Sequence, residues 1–431
     1  MNKLNVFVMG LTDFQRQELE SVANAEQYCF HSLLTPEEVV EEQAMFNDLL
    51  ERARQQLDSF DGSIDAIISH WDFPTSCLVP LLRAEHGLPA PSLESLLKCE
   101  HKYWARLEQA KTAPQSVPPF AAVDPFDPNS ADLIELDYPF WLKPIKAFSS
   151  HLGFYIENRE QFERALAETR EQIGEIGASF DQVLARVDLP PEVQGIGGYH
   201  CITEGILTGI QSAPEGYVLN GEVHVHGLFD MVRDKNGKSF SHLQYPSQLP
   251  ESVQQRMIEK AEKILHQVGF DNGCFNVEYL WDEDTDKLWV VEVNTRISQS
   301  HSDLFLKVDG MSNHEIAISV ALGQQPEFPH DKGRFNIAAK FWVNKYGDAR
   351  VTRVPTAAEL AALERTIPGA HVELEVEEGM LLSELQHQDA YRYVIAEAYL
   401  GGQSEQDLLD NYQRCRQMLP FEFREEHSRH A

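Results

Sequence analysis

The stretch Cys274–Arg296 constrains the fold of this chain more than any other, because its residues alternate as two β-strands joined by a polar turn do. The predicted turn spans Asp282–Lys287, and if it is centred on Thr285 the two strands form an antiparallel hairpin of fixed register. In the second strand the alternation places three apolar side chains on one face, namely Trp289, Val291 and Val293. The opposite face of the hairpin is then polar.

In that register the hairpin gathers four polar side chains. Glu278 lies opposite Glu292, and Asn276 lies opposite Asn294. Two carboxylates that face each other across a ladder, about 5 Å apart, repel one another, and a cation between them removes that repulsion. Oxygen ligands of this kind suit Mg²⁺ or Mn²⁺, and Arg296 adds a fixed cation suited to a phosphoryl group. The alternative is a solvated face in a very acidic protein.

The spacing of these residues resembles the metal-binding signature of the ATP-grasp superfamily. The pattern is E-(13 residues)-E-x-N-x-R, and it follows an amphipathic helix that ends at Gly269. The resemblance implies that Glu278, Glu292 and Asn294 hold the magnesium ions of Mg-ATP. It also implies that Arg296 contacts the transferred phosphate or the reacting centre, which makes Arg296 the candidate catalytic residue.

The charge of the chain argues against two classes of partner. Its 431 residues include 36 basic and 68 acidic side chains, which gives a formal net charge of −32. Nucleic acids and anionic membranes both require a basic protein surface, so we expect neither as a partner. The apolar fraction of 42% is ordinary for a globular enzyme with several structural units, and no stretch approaches the length of a membrane span.

The cysteines indicate a reducing compartment. No CxxC spacing and no regular framework connects the six of them, which are Cys29, Cys77, Cys99, Cys201, Cys274 and Cys415. We therefore expect free thiols. The N-terminal apolar run is too short for a signal peptide, and the expected location is the cytoplasm.

The first part of the chain alternates strands and helices, which predicts a parallel sheet covered on both faces. The predicted elements are strand Val6–Gly10, helices Asp13–Ala25 and Pro36–Phe60, strand Ile64–Ser69 and helix Pro74–Glu85. No GxGxxG motif follows the first strand, so a dinucleotide site is not expected. His70, Trp71 and Asp72 end the second strand and are candidates for the acceptor-substrate site, with a hydrogen-bonded structural histidine as the alternative.

A first lysine matches a part of the superfamily that contacts ATP phosphates. The segment Cys99–Arg106 is similar to the family's DK-x-x-x-R helix, although His101 stands where the family usually has Asp. The similarity implies that Lys102 reaches the phosphates. A lysine on a solvated helix face is the alternative.

A second lysine and the loop after it match the small ATP-grasp subdomain. Lys143 stands near the end of an apolar strand and corresponds to the family lysine on the α-phosphate and adenine side. The loop Lys146–Gly153 is small and polar, and a capped helix follows it. The resemblance implies that this loop closes over the phosphates, with Ser149 and Ser150 as donors; a serine-containing hairpin is the alternative.

The segment Cys201–Leu207 resembles the strand and hinge that bind adenine in this superfamily. The resemblance implies that backbone groups of Glu204, Gly205 and Leu207 pair with the base. Glu215 follows as a candidate ribose contact or as a residue that supports one.

These resemblances imply an ATP-grasp fold of mixed α/β and α+β class. We predict four units, which are an N-terminal α/β domain (1–95), a small ATP-grasp subdomain with its linking helix (96–205), a large subdomain with the metal site (206–327) and a C-terminal α+β cap (328–431).

Members of this superfamily activate a carboxylate as an acyl phosphate and then transfer it to a nucleophile. The chain is similar to L-amino-acid (dipeptide) ligases, which implies amide formation between small amino or carboxylic acids, with ATP and Mg²⁺ as cofactors. A homodimer is common among such relatives. Biotin carboxylase also resembles Glu292–Ile297, but it requires a carboxylate base where this chain has Ser300. A nucleotide-binding regulator without turnover is the remaining alternative.

Overall fold

The computed structural model describes residues 3–41, 44–147, 152–234, 239–385 and 392–425. It confirms the mixed α/β class, with one parallel sheet and three antiparallel sheets among these residues. All six cysteines are free, and five of them are buried. No helix in the described ranges is both long enough and apolar enough to cross a membrane.

The first unit is a three-stranded parallel sheet in the order β2-β1-β3. Its elements are β1 (Leu4–Met9), α1 (Asp13–Glu20), β2 (Tyr28–Leu33), α2 (Phe46–Asp58), β3 (Ala66–Ile68) and α3 (Thr75–Glu85). The strand–helix alternation is as predicted, but the sequence prediction lacks β2. This edge strand has mostly half-buried side chains, so no clear apolar alternation marks it.

The second unit is a four-stranded antiparallel sheet in the order β4-β7-β5-β6. Two helices, α4 (Leu93–Glu100) and α5 (Lys102–Thr112), lead into it. The remaining elements are β4 (Phe120–Val123), α6 (Ser130–Leu133), β5 (Phe140–Pro144), β6 (Phe154–Ile156), α7 (Arg159–Gln172), α8 (Gly174–Leu184) and β7 (Cys201–Gly205). The predicted cap of α7 is present, since the side chain of Asn158 accepts the N–H of Gln161.

The third sheet has eight strands in the order β12-β11-β8-β9-β10-β13-β16-β15. Its first part comprises β8 (Ile210–Leu219), β9 (Glu222–Arg233), β10 (Phe240–Tyr245), α9 (Glu251–Val268), β11 (Gly273–Asp282), β12 (Lys287–Asn294), α10 (Gln299–Val308) and α11 (Asn313–Ala321). Helix α9 ends where the sequence predicts, because Gly269 adopts φ +73° and closes the helix in the left-handed region.

Three strands of the predicted cap continue this sheet beside β10. The last elements are β13 (Ile337–Lys345), β14 (Ala349–Arg353), α12 (Ala357–Thr366), β15 (His371–Leu374), β16 (Tyr393–Gly402), α13 (Glu405–Met418) and β17 (Glu422–Glu425). Strands β14 and β17 form a separate antiparallel pair. Helix α10 packs on β10, β13 and β16, and it therefore crosses the junction between the two halves of the sheet.

The apolar face of the hairpin packs against α9 and buries Phe275, Val277 and Tyr279. A β-bulge follows the Glu278–Glu292 pair, so that Tyr279 pairs with Val290. This shift places Val290 in the core and leaves Trp289 half-buried. The prediction that Trp289 and Val291 share the face of Val293 is therefore wrong, because the bulge exchanges the two faces of the strand.

Candidate active site

The hairpin β11–β12 has the predicted register at its polar end. Glu278 pairs with Glu292, and Asn276 pairs with Asn294. Gln211 on β8 donates to one oxygen of Glu278 at 2.8 Å, and the Asn294 amide donates to the other at 3.1 Å. The carboxylate of Glu278 is thus fixed beside that of Glu292.

The electrostatics of this pair fit a bound cation. Burial and the neighbouring charge of Glu292 together raise the pKa of Glu278 to about 7, while Arg296 and the two amide donors act in the opposite direction. A carboxyl group that resists ionisation beside a second carboxylate becomes stable as an anion once a divalent cation shares both. The repulsion that the sequence predicts is therefore present in the folded chain.

The atoms of the hairpin that could bind a metal ion are oxygen atoms. Glu278 and Glu292 supply carboxylates, and Asn294 supplies an amide oxygen, which is the chemistry that Mg²⁺ prefers. Within the described ranges, no group of three or more His, Cys, Asp or Glu side chains is arranged to hold a metal by itself. The hairpin thus fits a magnesium ion that takes its other ligands from water and from nucleotide phosphates.

Arg296 follows the hairpin and lies beside these ligands. Its guanidinium is 3.4 Å from the carboxylate of Asp72 and 3.5 Å from the amide oxygen of Asn294. Burial disfavours its charge, but Asp72 and the other nearby carboxylates outweigh burial and raise its pKa. The side chain is 22% exposed, so a permanently charged guanidinium remains accessible at the end of the carboxylate hairpin.

Lys102 also points to the hairpin. Its ammonium lies 3.8 Å from Glu292 and 3.4 Å from the carbonyl oxygen of Ala147. Burial lowers the pKa of Lys102, and the Glu292 carboxylate opposes this effect. Its helix begins at His101, whose Nδ1 accepts the N–H of Trp104 at 3.1 Å. His101 thereby caps α5.

Lys143 lies in the four-stranded sheet, where it pairs with Glu204 at 3.0 Å. Glu204 also binds the guanidinium of Arg106 at 2.5 Å. Arg106 in turn donates to the carbonyl oxygens of Val290 and Val291 at 2.8 and 2.9 Å. The side chain of Glu204 is therefore a buried ionic link between this sheet and the hairpin.

Replacing Glu204 by glutamine should destabilise the protein strongly. Arg106 would be left buried beside a neutral amide, and breaking a buried pair in this way lowers the free energy of unfolding by about 3–5 kcal/mol. Burial opposes the ionisation of Glu204, but Arg106 and Lys143 outweigh it and lower its pKa to about 2. The stabilisation is therefore complete above the ordinary pKa of 4.5 and is lost as the pH falls toward 2.

Urea denaturation of Glu204→Gln and of the wild type at several pH values would measure this loss. The difference between the two proteins should narrow on acidification. The control is Glu163→Gln, because Glu163 forms an exposed ion pair with Arg159, and such pairs contribute about 0–1 kcal/mol. An equal effect of the two substitutions would contradict the buried link.

The remaining predicted residues lie at different places. The N–H of Gly205 donates to the carbonyl oxygen of Pro119 at 2.9 Å, and Leu207 lies two residues after the end of β7. Glu215 is fully buried and accepts bonds from His301 at 2.5 Å and from Asn313 at 2.7 Å. Its carboxylate ties α10 and α11 to β8, which is a supporting position.

The predicted serines Ser149 and Ser150 lie outside the described residues.

Sequence reasoning missed two charged residues at this site, Lys146 and Glu100, and named a third, Asp72, only as a candidate for the acceptor-substrate site. Lys146 and Glu100 form a buried ion pair, and Asp72 contacts both Lys146 and Arg296. Asp72 carries a weak sequence signal as the end of a parallel strand. Glu100 carries another, since it directly follows the buried Cys99 in an apolar run.

Part of the chain matches a known family. Residues 227–327 match the family model of the carbamoyl-phosphate synthase L chain, ATP binding domain. The carbamoyl phosphate synthase large chain of Kocuria rhizophila is 36% identical to this chain over 78 residues. That of Thermus thermophilus is 34% identical to this chain over 88 residues. These matches cover 18% and 20% of this chain and 7% and 8% of the relatives, so the chain matches a small part of their length.

Solved structures match the whole chain. The L-amino acid ligase from Bacillus licheniformis has a TM-score of 0.70 at 15% identity, over 99% of this chain and 100% of that one. Biotin carboxylase from Campylobacter jejuni has a TM-score of 0.65 at 13% identity, over 97% and 92%. The biotin carboxylase domain of Hydrogenobacter thermophilus 2-oxoglutarate carboxylase, solved with MgADP and bicarbonate, has a TM-score of 0.64 at 14% identity, over 99% and 92%.

The hairpin lies within the segment that matches the ATP-binding family model, and the whole chain has the ATP-grasp fold of these structures. The structural neighbours described above are an amino acid ligase and biotin carboxylases. At identities of 13–15% they share its fold.

Proposed function

We propose that this chain is an ATP-dependent carboxylate–amine ligase that joins small amino or carboxylic acids. The observation that carries the proposal is the position of Arg296, which lies beside the hairpin that pairs Glu278 with Glu292. Four residues after Arg296 the chain has a neutral serine, Ser300. Ser300 accepts a hydrogen bond from Lys340 at 3.0 Å. A carboxylase of the biotin carboxylase type requires a carboxylate base at this position, which a serine cannot replace.

The first half of the proposed reaction is the transfer of the γ-phosphoryl group of ATP to a substrate carboxylate, which gives an acyl phosphate and ADP. Glu278, Glu292 and Asn294 would hold the magnesium ion, which neutralises phosphate charge when bound. Lys102 and Lys143 supply further cations along the nucleotide, and backbone groups near Glu204, Gly205 and Leu207 face the base. Ser149 and Ser150 belong to the proposed phosphate loop.

In the second half an amine attacks the acyl carbon, and the carbon–oxygen bond to phosphate breaks. The products are an amide and inorganic phosphate, and the amine loses one proton to its surroundings. Arg296 lies where it can stabilise charge both on the transferred phosphoryl group and on the departing phosphate. Its accessibility at the metal ligands supports this assignment.

The test is phosphate release from Mg-ATP with pooled amino and small carboxylic acids, followed by mass spectrometry. A ligase should release phosphate only when two substrates are present, and its product should be lighter than the sum of the two precursors by one water. Incorporation of labelled bicarbonate would favour a carboxylase. Tight ATP binding without phosphate release in any pool would overturn the ligase proposal and favour a regulatory nucleotide-binding protein.

A further inference from the structure

Lys146 occupies an unusual position for a lysine, because its side chain is buried. It lies two residues after the end of β5 and is only 4% exposed. Its ammonium forms one ion pair with Glu100 and a second with Asp72 at 3.1 Å. A cation buried this deeply must be paired, since a desolvated ammonium is costly without a partner.

The two carboxylates connect Lys146 to the end of the metal hairpin. Asp72 contacts Arg296 at 3.4 Å with the carboxylate oxygen that does not face Lys146. The N–H of Phe73 donates at 2.7 Å to the oxygen that faces Lys146. Glu100 uses its other oxygen to accept the hydroxyl of Thr295 at 3.0 Å. Thr295 and Arg296 are consecutive residues, so one ammonium acts through two carboxylates on both of them.

Lys146 differs in this respect from the lysines assigned to the nucleotide. The side chains of Lys102 and Lys143 are 19% and 31% exposed, whereas that of Lys146 is 5% exposed. Both of its carboxylate partners lie within the protein. Its geometry is that of an internal support rather than of a phosphate contact.

We propose that Lys146 is a positioning residue for Arg296. It fixes the guanidinium of Arg296 through Asp72, and it fixes the backbone at Thr295 through Glu100. The activity consequences rest on the proposed ligase function. Without the ammonium, Asp72 has Arg296 as its remaining cationic partner and draws the guanidinium away from the phosphoryl group. Lys146 thereby connects the N-terminal unit, α4 and the base of the loop to the residue that stabilises the reacting charge.

The kinetic test compares Lys146→Met, Lys146→Arg and Lys98→Met. Lys98 is a suitable control because it lies on α4 close to Glu100 but pairs with the exposed Glu94. We expect Lys146→Met to lower kcat by about 10- to 100-fold, the range typical of a residue that supports a functional group. The dissociation constant for Mg-ATP should change less than about threefold, because Lys146 does not contact the nucleotide.

The conservative variant separates positioning from folding. Lys146→Arg keeps the charge and should recover part of kcat, while Lys98→Met should behave as the wild type. Equal losses of kcat and ATP affinity in Lys146→Met would overturn the proposal, because they indicate direct phosphate contact. An unchanged kcat in a less stable Lys146→Met protein would also overturn it, because it indicates a purely structural pair.

A measurement without substrates keeps the proposal independent of the ligase function. Urea midpoints of Lys146→Met, Arg296→Met and the double variant form a mutant cycle. Each single variant leaves Asp72 one cationic partner, whereas the double variant leaves it none. Coupling through Asp72 therefore predicts that the double variant shifts the midpoint by more than the sum of the single shifts. Additive shifts would contradict the link between Lys146 and Arg296, whether or not the wild type releases phosphate. Coupled shifts in a protein that releases no phosphate would contradict only the ligase proposal.

Discussion

Glu292→Gln is expected to lower phosphate release from Mg-ATP by a factor of about 10³ or more, because the metal supplies several kcal/mol of charge stabilisation. The substitution keeps the shape of the side chain and removes one charge of the proposed metal site. The side chain of Glu292 is 42% exposed, and removing its charge also relieves the repulsion between Glu292 and Glu278. The variant should therefore be at least as stable as the wild type and nearly inactive.

A steady-state phosphate assay across a range of Mg²⁺ concentrations, with thermal unfolding in parallel, would measure both effects. Glu283→Gln is the matched control, because Glu283 lies in the exposed turn of the same hairpin. Wild-type turnover and Mg²⁺ dependence in Glu292→Gln would eliminate the hairpin as the metal site.

Arg296→Met is expected to lower kcat by about 10²- to 10³-fold, which is the usual cost of removing one preorganised donor at a developing negative charge. The metal ligands remain, so the affinity for Mg-ATP should change little. Stability should also change little, because Asp72 keeps its ion pair with Lys146. This combination distinguishes a catalytic guanidinium from a structural one.

The measurement is kcat with saturating substrates, together with a direct titration of ATP binding. Arg256→Met provides the control, since Arg256 forms an exposed pair with Asp286 in the turn of the same hairpin. A weakened ATP affinity with unchanged kcat would assign Arg296 to nucleotide binding instead of to the reacting phosphoryl group.

Local patterns predict the pairing of the carboxylate hairpin well. Period-two alternation and a single polar turn fix the pairing of Glu278 with Glu292, because a slip by one residue would bury the charged face. The same local logic predicts α9 and its end at Gly269. It fails at the bulge after Glu278, where β12 has one extra residue and the two faces of that strand exchange. The order of apolar residues in the sequence does not indicate this bulge.

Long-range ion pairs have no such local signal. Lys146 and Glu100 are separated by 46 positions, and Arg106 and Glu204 by 98. Each partner alone could equally be a solvated surface charge, so the sequence cannot assign it to a buried network. The predicted phosphate lysines Lys102 and Lys143 needed a family resemblance for the same reason.

The continuous eight-stranded sheet has a consequence for how the protein can be divided. Strand β13 pairs along β10, from His242 with Phe341 to Tyr245 with Ala338. A fragment that ends at residue 327 would leave the N–H and C=O groups of Phe240–Tyr245 as an open edge, and unprotected edges of this kind recruit strands from other chains. The C-terminal segment thus protects the nucleotide-binding half from aggregation, and a shortened protein is expected to associate before it can be assayed.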